Sequence, residues 1–328
     1  MKYFSTFSGI GGFELGINQA YEVCNVDGSA LGRIQTNTQR DEGQGFLSKK
    51  REDTSPKNGQ FSQCVTDKPN QRPFCAGYCE IDKYAIKTYE HHFPDHRNYG
   101  DITKIDAAAL PDFDLLVGGF PCQAFSVAGK RAGFLDKTRG TLFFDLCRIL
   151  DAKRPRHFVF ENVKGLLSHD KGQTFDTIIA TLDDLGYDLQ WQVLNSKDFG
   201  VPQNRERVFI VGHLRGEPRP EVFPICSAVR EDTRPDREPA GINNPSRGYE
   251  KRSDGIGSCV RAGESGTKNI IHDGLSVRKL TPTECERLQG FPDAWTLGSD
   301  TQRYKQCGNA VTVNVVQKVM QKLYNLPQ

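Results

Sequence analysis

Hydrophobic positions in this chain come in short runs that end on glycine or an acid and give way to stretches with helical spacing. KYFSTFSGIGGFELGINQAY reads as a strand, a glycine turn, and a helix starting near Gly12. FCAGYCEIDKYAIKTYEHHF reads as a strand ending at Glu80, then a helix that spaces Tyr84, Ile86, Tyr89 and Phe93 near one face. DFDLLVGGF, HFVFENVKG and RVFIVGHL are further strands, and TFDTIIATLDDLGYDLQWQVL is a helix stopped near Gly186 and followed by a strand. Strands alternating with helices predict an α/β fold with a mostly parallel sheet covered on both faces. In such sheets ligands bind at the carboxyl ends of the strands, where these glycine and acid turns fall.

Two segments break the pattern. A polar stretch over about residues 22–74 has almost no apolar periodicity and reads as an insertion between the first helix and the second strand. Its mild basic excess is compatible with nucleic acid, but a solvated loop is the simpler expectation. Residues 217–277, rich in Pro, Gly, Arg and Asp, read as a small separate module, after which a helical pattern resumes at TPTECERLQGF. The expected organisation is a main domain over 1–216, a module over 217–277, and a return to the main domain over 278–328.

Composition narrows the class. A length of 328 residues can bury a large core, and 37% hydrophobic with 26% charged residues suits a soluble globular protein. A formal charge of +2 gives no global basic field, so any nucleic-acid contact must come from local clusters. No apolar run approaches a membrane span, and MKYFSTFSGIGG lacks the features of a signal peptide. The ten cysteines are scattered without a CxxC pair, so most are expected to be reduced core thiols and no metal site is expected. Cys75 and Cys79, the closest pair, fall in a strand where alternate residues share a face. A reducing cytoplasm is the expected compartment.

The candidate chemistry begins at Gly9, Gly11 and Gly12, where missing Cβ atoms at a strand-to-helix turn let backbone amides approach an anion. A glycine turn alone is shared by dinucleotide, flavin and S-adenosylmethionine binders. Glu80 at the second strand end can accept from ribose hydroxyls, and Asp101, placed at the next strand end, from an adenine amino group. With no GxxxxGK[ST] motif, the set points to a nucleoside rather than a nucleotide triphosphate. Cys122 follows the strand LLVGGF, Glu161 ends another, and Arg205 and Arg207 alternate along a third so that both face one side. Positive charge near a cysteine favours the nucleophilic thiolate. Taken singly, each has a bland reading: a cysteine packs and a strand-end glutamate is solvated.

Taken in order, the motifs resemble a known family. Phe7-x-Gly9-x-Gly11-Gly12, Glu80, Asp101, Gly-Phe-Pro-Cys-Gln, Glu161-Asn162-Val163, Gln203-x-Arg205-x-Arg207, RKLTPTECERLQGFP and QCGNAV resemble the DNA cytosine-5 methyltransferases, the bacterial and phage HhaI type above all. The resemblance covers residues 1–20, 75–216 and 278–325. It implies a Rossmann-like S-adenosylmethionine-dependent methyltransferase domain with a small inserted target-recognition domain. It also implies S-adenosyl-L-methionine as cofactor, with S-adenosyl-L-homocysteine as product, and double-stranded DNA as partner. A cognate restriction endonuclease is a candidate further partner, and a monomer is expected. For the site, it implies that Cys122 is the nucleophile on cytosine C6, Glu161 meets N3 and the exocyclic amine, Asn162 supports the Pro-Cys loop, and Arg205 and Arg207 hold the base and the thiolate environment. Phe7 stacks on adenine and Glu80, beside Ile81, holds the ribose. Asp101 and Ile102 frame the adenine edge. Gly9, Gly11, Gly12, Gly119, Pro121, Asn309 and Val311 complete the cofactor pocket.

Methylating cytosine at C5 needs prior activation of the ring, which attack at C6 provides, and a base inside a duplex must first be flipped out. SVAGKRAGFLDKTRGTLFF fits a loop closing over such a base, with Lys130, Arg131 and Arg139 on phosphates and Gln123 and Ser126 at the DNA. In the module, family members carry a Thr-Leu pair where this chain has Cys259-Val260, and Cys259 and Arg261 are the candidate DNA contacts there. One rival reading is a transfer-RNA methyltransferase, whose Pro-Pro-Cys and Cys-Phe-Thr elements are absent. The other is an inactive DNA-binding relative, against which every chemical position is intact.

Overall fold

The computed structural model describes residues 1–30, 72–121, 142–226, 241–244, 248–251, 257–260, 269–272 and 277–325. In chain order the elements are β1 (Lys2–Thr6), α1 (Gly12–Ala30), β2 (Phe74–Cys79), α2 (Lys83–His92), β3 (Leu115–Gly119), α3 (Leu142–Lys153), β4 (His157–Val163), α4 (Gln173–Asp184), β5 (Tyr187–Asn195), β6 (Gln203–Asn204) and β7 (Glu206–Leu214). Then come β8 (Gly241–Asn244), β9 (Gly248–Lys251), β10 (Gly257–Ser258), β11 (Asn269–His272), β12 (Val277–Lys279), α5 (Pro282–Leu288), α6 (Asp300–Asn309) and α7 (Val313–Leu323).

A six-stranded sheet in the order β2-β1-β3-β4-β7-β5 carries the main domain. Its strands run parallel except β7, which is antiparallel to both neighbours. Side-chain alternation splits each strand between two cores. Phe4, Leu116, Phe158, Phe160, Val208 and Ile210 face the core shared with α3 and α4. Their neighbours Tyr3, Leu115, Val117, Val159, Phe209 and Val211 face the core shared with α1 and α7. Burial on both faces is what a mostly parallel sheet requires, and it explains the near-continuous apolar runs in the sequence. The contact of α1 with α7 is close because Gly16 carries no side chain: a Cβ there would lie 2.7 Å from Val316 Cβ.

Several elements differ in detail from expectation. Tyr3 pairs with Cys75 but Phe4 with Gly77, a bulge that takes up one extra residue in β2. Such a slip exchanges the faces beyond it. Cys75 therefore lies in the α1–α7 core and Cys79 in the opposite one. In α2 the buried face is Ala85, Thr88 and Tyr89, while Tyr84 is 38% exposed. Asp101 ends no strand. Beside β2 there is one bridge outside the named strands, Tyr78 to Asn98, and Asp101 then caps a 3-10 turn over Ile102–Lys104. The helix α1 runs on to Ala30, past the residue where the polar insertion was expected to start.

Main-domain packing also continues beyond Glu217. The side chains of Gln190 and Gln192, two apart on β5, hold the following segment like a short ladder. Val222 N–H donates to Gln190 Oε1 at 3.0 Å and Ile225 N–H to Gln192 Oε1 at 2.8 Å. Val222 and Ile225 then enter the α1–α7 core. The strands β12-β11-β8-β9 make a separate four-stranded sheet, while β10 pairs in parallel with β6. TPTE opens α5 with a capping box: Thr281 Oγ1 accepts from Glu284 N–H, and Glu284 accepts from Thr281 N–H.

The cysteines at 75, 79, 147, 226, 259, 285 and 307 are free, and five of them are buried. Among the described residues no helix is long and apolar enough to cross a membrane.

Candidate active site

Because β1 to β4 run parallel, their carboxyl ends deliver four segments to one edge of the sheet. These are the glycine turn after Thr6, Glu80 after Cys79, the Gly119–Pro121 segment, and Glu161–Asn162. Since β7 runs the other way, its amino end arrives at the same edge, with Arg207 in register with Val163. A cavity of about 380 Å3 opens there, lined by Phe7, Gly9, Glu80, Gly119, Pro121, Glu161, Asn162, Arg205, Arg207 and Asn309 among others.

One half of the cavity is built around the glycine turn. Phe7 holds a left-handed backbone at φ +52°, a conformation rare for a residue with a Cβ and found where a site dictates it. Glu80 closes the turn from the other side. Gly9 N–H donates to its Oε2 at 2.8 Å, while Ile81 and Asp82 N–H groups donate to Oε1 at 2.8 and 2.9 Å. A carboxylate has roughly four acceptor positions, so about one is left for a ligand hydroxyl.

The other half holds charge. Glu161 Oε1 accepts from Arg207 Nε at 3.0 Å, with both side chains largely shielded. Gly119 lies opposite, and a Cβ on it would sit 3.0 Å from Glu161 Oε2. Asn162, 2% exposed, donates from Nδ2 to Phe120 O at 2.9 Å and accepts from Val163 N–H at 2.8 Å. It thereby fixes the backbone two residues before position 122.

Arg205 is placed differently from expectation. It lies in the break between β6 and β7, is 3% exposed, and spends its donors on protein. Nη1 donates to Val260 O and Cys259 Sγ, both at 3.1 Å, and Nη2 to Gly308 O at 3.2 Å and Ala310 O at 2.8 Å. Burial and the neighbouring Arg207 guanidinium pull its pKa below the ordinary arginine value, against the opposing pull of Cys259 and Glu161.

The family model described as C-5 cytosine-specific DNA methylase matches residues 72–240 and 236–325. The chain belongs to that family. This cytosine-5 methylase is 43% identical over 275 residues to the Type II methyltransferase M1.ScrFI of Lactococcus lactis subsp. cremoris, covering 74% of this chain and 70% of that one. It is 41% identical over 276 residues to the Type II methyltransferase M.NlaX of Neisseria lactamica, covering 76% and 88%. Its fold is like that of S. pombe Dnmt2 methyltransferase, with a TM-score of 0.65, 17% identity, and 99% and 98% of the two chains covered. It is also like that of a DNA modification methyltransferase encoded within an E. coli prophage, with a TM-score of 0.58, 20% identity, and 99% of each chain covered.

Family and fold imply S-adenosyl-L-methionine, and the first half of the methylase cavity fits an adenosyl group. It offers an aromatic ring at Phe7, a carboxylate with one acceptor position spare, and a glycine at position 9 whose missing Cβ leaves open space. Not every expected cofactor residue lines it. Gly12 packs on Val311, where a Cβ would meet Val311 Cγ1 at 2.8 Å, and Val311 itself belongs to the α1–α7 core. A Cβ on Gly11 would collide with the Phe93 ring at 2.5 Å. Ile81 is 72% exposed and Ile102 is buried in the opposite core. The Asp101 carboxylate accepts from Thr103 N–H and Oγ1 and pairs with Lys104 at 3.3 Å.

Cys259 faces the two arginines, 3.1 Å from Arg205 Nη1 and 3.9 Å from Arg207 Nη2. Cys122, Gln123, Ser126, Lys130, Arg131, Arg139 and Arg261 lie outside the described residues. The structure adds Asp82, Tyr84, Gln302 and Lys305 to the wall, with Lys305 Nζ 2.7 Å from Asp82 Oδ2. Gln302, Lys305 and Asn309 are three and four apart on α6, a spacing that puts them on one helix face with the motif asparagine.

Proposed function

We propose that this methylase modifies C5 of cytosine in duplex DNA, with Cys122 as nucleophile and Glu161 as the group at the ring nitrogen. The observation that carries the reading is the Glu161–Arg207 pair at 3.0 Å on the wall of the cavity that also holds Phe7 and Glu80. A base-handling carboxylate and a nucleoside-binding acid thus share one space.

When bound, S-adenosyl-L-methionine supplies a methyl group on a sulfonium centre. Phe7, Glu80 and Asn309 would hold it. Arg207 engages Oε1 of Glu161, which keeps the carboxyl group oriented and leaves Oε2 to meet cytosine N3. As the Cys122 thiolate forms its bond to C6, charge builds on the ring, and a proton shared between Glu161 and N3 offsets it. The ring then has enamine character and C5 becomes nucleophilic. After C5 has gained the methyl group, loss of its proton to solvent, departure of the Cys122 thiolate from C6 and return of the N3 proton to Glu161 restore aromaticity. Asn162 contributes by fixing Phe120 and Pro121, from which Cys122 must reach. The residues within 217–277 are proposed as the target-recognition module. The Type II relatives support a place in a restriction-modification system, with a cognate endonuclease as partner.

The test is methyl transfer from labelled S-adenosylmethionine to duplex DNA or transfer RNA, comparing wild type with Cys122→Ala. Label in DNA that is lost in the variant supports the reading. Label in RNA alone overturns the substrate, and no label in either overturns the enzyme. Bisulfite sequencing of DNA from expressing cells gives the target motif.

A further inference from the structure

We infer that Arg205 is a positioning residue, the joint that fixes the inserted module to the wall of the cofactor cleft and so couples DNA binding to cofactor binding. The inference rests on the reading of 217–277 as the module that meets DNA. A guanidinium has five N–H donors, four of them on the two Nη atoms. All four are taken: Nη1 by Cys259 and Val260, Nη2 by Gly308 and Ala310. The remaining Nε is buried and has no partner among the described residues. The side chain therefore presents no free Nη donor to a base. It bridges two chain segments that also pack on each other, Val260 sharing an apolar cluster with Leu288 and Cys307.

Gln203 completes the joint. It is fully buried, accepts from Val260 N–H at 2.9 Å, and donates to Leu288 O at 2.7 Å. Its backbone pairs with Gly257, so the module's inner strand β10 is set on β6. On the far side, Gly308 and Asn309 line the cleft. Moving Val260 relative to Gly308 would break hydrogen bonds to a buried charged group, each costlier than a neutral one to lose. A ligand that holds either segment in place therefore favours the hydrogen-bonded arrangement over the broken one, and with it the geometry of the other segment.

The experiment measures S-adenosylhomocysteine affinity by calorimetry with and without a long unmethylated duplex that contains every short site. In wild type the duplex should tighten binding about tenfold, within the usual range of coupling. Arg205→Lys keeps the charge but not the fork that reaches both segments. In this variant the tightening should fall to about twofold or less. The KM values for both ligands should rise while the single-turnover rate at saturation holds within about threefold. Arg207→Lys should do the reverse, slowing the chemical step and keeping the coupling. Gln203→Met, which frees Val260 N–H without touching the guanidinium, should also weaken the coupling and carries the test if Arg205→Lys does not fold. Undiminished coupling in these variants overturns the inference. A wild type that binds duplex without any coupling overturns it too, yet leaves the module reading intact. A wild type that binds no duplex overturns both.

Discussion

Glu14 sits in the first turn of α1 with no solvent exposure, beneath the glycine turn. Tyr89 Oη donates to its Oε1 at 3.0 Å, while Oε2 is buried with no partner among the described residues. Two effects oppose each other. The helix amino terminus favours the carboxylate by about 1 kcal/mol, but removing a charge from water costs several. Burial wins over the hydrogen bonds from Ser5 and Tyr89, and the carboxyl is pushed from 4.5 up to about 7. Because the folded value lies above the unfolded one, the group's stabilisation is complete below pH 4.5 and is lost as pH rises through 7. At 1.36 kcal/mol per unit, the loss between pH 5 and 8 comes to about 2–3 kcal/mol.

Glu14→Gln cannot ionise. It leaves an amide donor near the unpartnered position, an offset of about 1–3 kcal/mol that does not vary with pH. Denaturant unfolding of both proteins at pH 5, 6, 7 and 8 separates the two contributions. The variant should start less stable at pH 5 and gain on wild type by about 2–3 kcal/mol by pH 8. All other titrating groups cancel in the difference. Parallel curves for the two proteins would refute the reasoning, because they would mean that the ionised carboxylate is accommodated without cost.

Three further outcomes follow from the geometry. Gly119→Ala should keep the fold but lower methyl transfer by about tenfold or more in steady-state assays, because its Cβ would press on Glu161 Oε2 at 3.0 Å. Asn162→Ala strands the Phe120 carbonyl and should cost about 1–3 kcal/mol in denaturant unfolding, with a parallel loss of activity. His157 and His213 meet through their Nδ1 atoms at 3.1 Å, and burial pushes each from 6.5 down to about 4. Their contribution is therefore present above pH 6.5 and lost as pH falls through 4, so replacing His213 with Gln should flatten the acid side of the thermal-stability profile.

Motif order and strand–helix alternation were enough to read the fold class in advance. Residues at strand ends are the legible ones: Glu80, Glu161 and Gly119 line the cavity because parallel strands finish at one edge of a sheet. Asp101 shows the limit. Its local sequence, Asp-x-Thr, makes a capped turn whose side-chain bonds form only when the chain reverses there. The bulge in β2 is equally invisible beforehand, since one extra residue moves Cys79 to the opposite core without altering the apolar pattern.

What the sequence determined by itself is the set of chemical groups and the elements that carry them. The partner of each group depended on tertiary structure, because those partners lie far off along the chain. Arg205 and Arg207 look alike as an alternating pair. Packing gives Arg207 to Glu161 and spends Arg205 on the carbonyls of Val260, Gly308 and Ala310. Side-chain spacing sets which way a residue can point, but only the folded chain sets what stands there to meet it.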